Sequence, residues 1–252
     1  MTSKVFFIDN TNSTNNGSQI NVSLNPPLYL DMNKKYTLSM IEMNFTYCFS
    51  NIITGVNDGF NFTYNGTVYI NAIPQGLYAF SDLQNTINYI TNVRCGQSNL
   101  FTFSYSSITG TTSVVLSANT QLQCGSTQSV SLFGFVYSRS LIYNSSIPAY
   151  ASDKAVQFNT VKSVNVFCDL ITSSYQNNNQ SNLLGVITIN SKPYNLQTFD
   201  PVNLMSVPIT LQDIIKNFTI YLTDDKNNAL DFTNGGLINT QYWNIKLRID
   251  EL

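Results

Sequence analysis

Histidine is absent from this 252-residue chain. That excludes a Ser-His-Asp triad, a Cys-His dyad and any zinc site built on imidazole. Cysteine is scarce: Cys48, Cys95, Cys124 and Cys168 stand singly, with no C-x-x-C pair, so a zinc ribbon is excluded as well. Charged residues make up 10% of the chain, against about a quarter in an average domain. A net charge of −2 without a basic run leaves no clustered Lys/Arg footprint for nucleic acid. No apolar window approaches the length that spans a bilayer. The short apolar run in MTSKVFFIDN falls below that of a signal-peptide core. The terminal Arg-Ile-Asp-Glu-Leu has Ile249 where an ER-retention signal carries a basic residue.

What replaces charge is Asn, Ser, Thr, Gln and Tyr, beside a hydrophobic content of 43%. Such a chain folds, and its surface is inexpensive to desolvate against another subunit, since interface cores are depleted in charge and enriched in Tyr and Phe. Codon bias in an A+T-rich genome produces the same composition. The 16 Phe and 15 Tyr fit strand cores and interfaces, with a sugar-stacking platform as the alternative use.

Period-two alternation dominates. From Phe218 to Leu252, Phe218, Ile220 and Leu222 alternate with Thr219, Tyr221 and Thr223. Beyond Gly235-Gly236, Trp243, Ile245, Leu247 and Ile249 alternate with Asn244, Lys246, Arg248 and Asp250. This is the pattern of antiparallel strands with one face on a core, here predicted to close a sheet with Lys246 and Arg248 outward. Earlier strands are predicted at 4–8, at 20–24 with a stop at Pro26-Pro27, and at 35–47 with Ile41, Met43 and Phe45 on one face. Asn65-Gly66 predicts a hairpin between 60–64 and 67–70. Ser81 and Gln84 predict a capping box, and Leu83, Ile87 and Ile90 recur at helical spacing, so one short helix is expected over 81–93. A hairpin of 100–105 with 113–117 lies in the charge-free segment between Arg94 and Arg139. Strands at 161–170 and 183–189, an irregular crossing at 143–152 and a projecting loop at 172–182 complete the pass. With no linker and no repeat, the expectation is an all-β chain: one jelly-roll sandwich of two antiparallel sheets over 1–252.

The chemical constellations are weak. Asp224, Asp225 and Asp231 lack the Gly and closing Glu of a calcium loop and are read as a hairpin turn. Adjacent Asp224 and Asp225 point to opposite faces of a strand, and the remaining acids are scattered, so no facing carboxylate pair for a glycosidase emerges. No catalytic residue, cofactor or metal is expected. The N-x-S/T sites, Asn12 and Asn144 among them, follow from composition. Cys95 and Cys124 are equidistant from Thr109-Gly110; a ladder true to its ends would set them opposite and allow a disulfide, while two buried thiols are the expected state in a reducing cytoplasm.

Taken in order, INVSLNPPLYLD, YTLSMIEMNFTYCFSNI, IPQGLYAFSDLQNTI, SLFGF, VNVFCDLITSSY and LTDDKNNALDF resemble the penton, or minor capsid, proteins of virophages and polinton-like viruses. The matching elements are Asn51-Ile52, the Ile73 to Tyr78 turn before the helix, Leu132–Phe135, the strand of Val164–Ile171 and the late acidic turn, where Asn227-Asn228 replace the usual Gly. The segment from Asn10 to Ser18 has no counterpart. The resemblance implies a single jelly roll forming homopentamers at icosahedral five-fold vertices, within a lattice of a separate double jelly-roll major capsid protein. It places the chain in the virion, assembled in the host cytoplasm, with no chemistry of its own. The alternative is a fibre-head-like module that binds a host glycan or receptor through exposed loop residues Tyr143, Tyr150 and Tyr175.

Overall fold

All four apolar side chains of the last alternation, Trp243, Ile245, Leu247 and Ile249, are buried, on a nine-residue strand that ends at Glu251. The computed structural model describes residues 3–158, 160–171, 174–176, 179–191, 194–210, 212–233 and 241–252, with the side chains of all but 174–176, 179 and 180. In chain order the elements begin with β1 (Ser3–Asp9), β2 (Gln19–Tyr29) and β3 (Tyr36–Thr46). β4 (Gly59–Tyr64), β5 (Thr67–Ala72), helix α1 (Phe80–Cys95), β6 (Phe101–Tyr105), β7 (Thr112–Leu116) and β8 (Thr120–Cys124) follow. A 3-10 helix (Ser129–Phe133), β9 (Arg139–Ile142) and β10 (Tyr150–Ala151) come next. The chain then forms β11 (Ser163–Cys168), β12 (Ser174–Gln176), β13 (Asn179–Ser181), β14 (Leu183–Thr188), β15 (Leu196–Phe199), β16 (Ser206–Pro208), β17 (Ile214–Thr223) and β18 (Trp243–Glu251).

The contacts gather into two compact units, Met1–Phe49 with Val161–Leu252, and Ser50–Thr160. The first contains two antiparallel sheets, ordered β1-β18-β3-β15 with β16 also on β3, and β14-β11-β17-β2. Counted along this unit, with β15 and β16 as one broken strand and the separate β12–β13 hairpin set aside, the sheets read first-eighth-third-sixth and fifth-fourth-seventh-second. That is the winding of an eight-stranded jelly roll. Where alternation predicts one roll over 1–252, the strands of the roll come only from the two outer segments. Ser50–Thr160 enters between its third and fourth strands. Both units carry the same alternating patterns and turn residues, so alternation did not separate them; charge does differ, with six charged residues in the 111 of the insert and twenty in the 141 of the outer segments.

Burial at one face of each sheet holds the roll together. Phe6 of β1 meets Phe218 of β17 edge to face, 6.2 Å between centroids. Met40 of β3 packs so closely on Gly185 of β14 that a Cβ there would lie 2.7 Å from the methionine methyl. Three expectations change in detail. On β3 the buried apolar set is Leu38, Met40, Met43 and Phe45, because a bulge opposite Lys246 and Leu247 leaves Ile41 as the extra residue, and the apolar alternation changes phase there. β2 runs through Pro26-Pro27; it is an edge strand, and its pairing with β17 skips from Leu28 to Ser23, so the prolines need no ladder donor. β17 and β18 lie in different sheets, so the acidic stretch between them is not the turn of their hairpin. Asp224 closes a local turn instead, its carboxylate accepting the N–H groups of Lys226 and Asn228, with Asn227 left-handed. Gly235 and Gly236 lie outside the described residues.

The inserted unit has its own core of Phe60, Phe62, Phe101, Phe133, Phe135 and their neighbours. The Asn65-Gly66 hairpin is present, both residues left-handed. Helix α1 begins one residue before Ser81: Ala79 is its N-cap and the Asp82 carboxylate accepts the Ala79 N–H at 3.1 Å. Gln84 docks the helix onto β6, donating to the Phe101 carbonyl and accepting the Phe103 N–H. Gly134 ends the 3-10 turn where a Cβ would overlap the Lys154 carbonyl, so the SLFGF signal requires its glycine.

Asn51 links two of the sequence signals physically. It is buried; its Nδ2 donates to the carbonyls of Tyr78 and Phe158 at 2.8 and 2.9 Å, and its Oδ1 accepts the Tyr78 N–H at 2.9 Å. Its own N–H donates to the Gly76 carbonyl. Removing the amide strands three backbone groups, each costing about 1–3 kcal/mol when left unpaired. Asn51→Ala is therefore expected to lower stability by about 3 kcal/mol or more, read as a lower urea midpoint with unchanged slope. Asn51→Asp does not rescue it, because a carboxylate oxygen would then face two carbonyls.

Candidate interaction surfaces

A roll of two open sheets leaves two edges, and their chemistry differs. At the first, β1 lies at the end of one sheet and β2 at the end of the other. The alternation that buries Ile8 turns Val5 and Phe7 outward, and Phe7 is 78% exposed. Lys246 lies over the Phe7 ring at 5.0 Å, a cation–π contact, and pairs across the sheet with Glu42. Lys246 and Arg248 thus form the outward row expected of them. A shallow cleft of about 270 Å³ here is lined by Phe7, Asp9, Glu42, Tyr242, Asn244 and Lys246 among others. The Thr11 hydroxyl, and then its N–H, hold the Asp9 carboxyl below its ordinary range.

The second edge is formed by β14 with β15 and β16. It is apolar: Leu196 is 63% and Val202 98% exposed, with Val186 and Met205 also exposed. A cleft of about 430 Å³ is lined by Met40, Leu183, Gly185, Phe199, Pro201 and Met205, with no charged residue in its lining. Sequence alternation marked the strands but not these edges, since which strand ends a sheet is a property of the winding.

On the inserted unit, β5-β4-β8-β9 form a sheet whose inner face carries Phe62, Leu122 and Leu141. Across its outer face Thr63, Gln121 and Ile142 stand in register on β4, β8 and β9. Tyr143 follows directly; it is exposed and lines a cleft of about 530 Å³ with Asn65 and Asn119. Tyr150 is not an exposed loop contact. It lies in β10 beside β7, packs on the unit's core, and its hydroxyl donates to the Ile142 carbonyl. The backbone of Tyr175 pairs with Gln180 in the β12–β13 hairpin, and its side chain lies outside those described.

Cys95 and Cys124 are free and not opposed. The β6–β7 register pairs Phe101 with Leu116 and ends there; Cys95 belongs to α1 and Cys124 to β8, which pairs with β4 and β9. Among the described residues no cluster of three metal-ligating side chains occurs, and no helix is long and apolar enough to cross a membrane. The carboxylates of Asp224 and Asp231 accept hydrogen bonds from their own turns, and Asp153 forms a salt bridge to Arg139 at 2.7 Å.

No protein-family model matches the sequence, and no curated protein does. Among solved structures, the crystal structure of the selenomethionine-labelled mavirus penton protein matches over 99% of this chain and 100% of its own, with a TM-score of 0.50 and 14% identity. The chain shares the fold of a virophage penton protein. At that identity the likeness extends to architecture, the property shown by the jelly-roll winding.

The thiols offer a check on the burial pattern. Burial pushes Cys48, Cys124 and Cys168 from 9.0 up to about 12, and the Tyr47 phenol from 10.0 up to about 12. Cys95 is half-buried, its Sγ donating to the Thr91 carbonyl at 2.9 Å. Each raised acid ionises earlier unfolded than folded, so its contribution is whole below about pH 8.5 and is lost as pH rises toward 12. The native chain should show one fast thiol at pH 8, removed by Cys95→Ser, and a urea midpoint that falls above about pH 9. Several fast thiols, or a midpoint level to pH 11, would contradict this packing.

Proposed function

We propose that the chain is a structural capsid protein, a penton whose homopentamer closes the five-fold vertices of an icosahedral virion built from a separate double jelly-roll major capsid protein, assembled in the host cytoplasm. The observation that carries this reading is likeness to a penton protein over the whole length of both chains, jelly roll and inserted segment together. The two edges supply its physical basis. A ring is built from a heterologous contact, in which one patch meets a different patch on the neighbour. Here Phe7 with Lys246 stands on one edge, and Leu196, Val186 and Val202 on the other. Exposed apolar side chains on sheet edges are sites that proteins ordinarily blunt or cover. The role needs no catalytic group, only the burial of two matched edges.

Mass photometry and light scattering on the purified chain test it. The expected result is a species of five 28.2 kDa chains. Leu196→Asp with Val202→Asp should weaken association at least about tenfold, the equivalent of about 1.4 kcal/mol, while leaving the monomer folded. A monomer at high concentration that also fails to bind capsid lattice would overturn the assignment. A pentamer indifferent to the double variant would move the contact to another face.

A further inference from the structure

The outer face of β5-β4-β8-β9 contains two rows of polar side chains that are treated differently. Beyond Leu122, Gln123 pairs in register with Ser140, whose hydroxyl donates to Gln123 at 2.9 Å, and on β4 Asn61 accepts the Asn71 N–H at 3.3 Å. In the neighbouring row, Thr63 and Gln121 form no side-chain hydrogen bond among the described residues, nor do Asn65 and Asn119 at the ends of their strands. Those solvent-facing groups line one open, shallow cleft of about 530 Å³, with Ile142 and Tyr143 as its apolar part.

The cleft is held in place from below. The Asn65 N–H donates to the Asn119 carbonyl at 3.1 Å, and the Tyr143 N–H to the Thr120 carbonyl at 2.9 Å. Asn65 and Asn119 are both left-handed, so two tight turns lie side by side, tied through their backbones. The backbones of three chain segments that carry the amides, the hydroxyl and the aromatic ring are therefore fixed before any ligand arrives. Its lining has no charged side chain. The basic residue of β9, Arg139, is engaged by Asp153 at 2.7 Å. A phosphate, sulfate or carboxylate entering the cleft would find no cation to offset its desolvation.

We propose that this cleft binds a neutral saccharide, with Thr63, Asn65, Asn119 and Gln121 hydrogen-bonding its hydroxyls and Tyr143 packing on the C–H face of a sugar ring. Amides donate and accept at once, as sugar hydroxyls require, and an aromatic face beside them suits the apolar side of a pyranose. The reading is independent of pentamer formation: the site lies within one unit of one chain.

Saturation-transfer NMR on the full chain, with neutral oligosaccharides of galactose, mannose and N-acetylglucosamine and a sialylated oligosaccharide for contrast, tests it. At least one neutral sugar should bind, and Tyr143→Ala or Gln121→Ala should each reduce affinity about tenfold or more. Tyr137→Ala, an exposed tyrosine outside the cleft, should leave it unchanged. Because Gln121 and Tyr143 lie on the surface side of the sheet, Gln121→Glu gives a second variant that keeps size and fold while making the site anionic; it too should lose binding. Unaltered circular dichroism separates these losses from unfolding. No neutral sugar bound at millimolar concentration, preference for the sialylated sugar, binding indifferent to the variants, or occupation by an uncharged peptide in place of every sugar would each overturn the proposal.

Discussion

The indole of Trp243 donates its Nε1–H to the Gly17 carbonyl at 2.6 Å in a fully buried setting, and the backbone of the same residue is bound twice to Asn10. The Asn10 side chain accepts the Trp243 N–H, its amide donates to the Gln241 carbonyl, and its own N–H donates to the Trp243 carbonyl. Each of these groups would cost about 1–3 kcal/mol if buried unpaired. The segment after β1 and the start of β18 therefore order together. Asn15, Asn16 and Gly17 are consecutively left-handed, a run that Asn and Gly adopt with least strain, and it is this run that presents the Gly17 carbonyl to the indole. Asn16 and Ser18 extend the same device, accepting the N–H groups of Phe232 and Leu222. A single polar segment thus fastens strands of both sheets to one aromatic anchor.

This dependence was not legible in the sequence, and the reason is physical. TNSTNNGS has the composition of a solvated loop, and its value lies in a backbone conformation and distant partners that no periodicity reports. What could be read was local: the alternation of β18, the Asn65-Gly66 hairpin, the single helix and the succession of strands of a jelly roll. The misplacements occur where tertiary pairing overrode a local rule. Pro26-Pro27 do not stop β2 because that strand is an edge with a skipped register. Ile41 leaves its face because β3 bulges against β18. Ser81 yields the cap to Ala79, two residues earlier, whose N–H the Asp82 carboxylate accepts. The Cys95–Cys124 symmetry failed because a ladder ends where its partners change, here at Phe101 and Leu116.

The signals behind the penton resemblance become more specific once their contacts are known. Asn51-Ile52 and the Ile73 to Tyr78 turn, separate in sequence, are joined by the amide of Asn51 and by the Ile52–Gly76 bridge. The glycine of SLFGF is required by a carbonyl against its backbone. Motifs that are separate in sequence are thus tied to one another through buried backbone groups of one unit. The site residues were less legible. Of the three tyrosines suggested from loops, Tyr150 is taken up by the core of its unit, and Tyr143 gains significance only from Asn65, Asn119 and Gln121, whose convergence is set by strand register.

Scarcity of charge is compatible with both mutational bias and use, and composition alone does not separate the two. Placement does. Where Asn and Gln replace charged residues by bias alone, their amides should be solvated at random. In this chain many are committed: Asn10, Asn51 and Asn165 are buried and bound to backbone carbonyls, and Gln84 and Gln128 bridge separate elements. Amides open to solvent on the outer face of β4 and β8, one row from a set that pairs internally, and an apolar edge left uncovered at Leu196 and Val202 are two places among the described residues where the fold leaves its own groups uncovered. Each has the chemistry of a surface completed by something outside the chain: hydroxyls for the first, apolar side chains for the second.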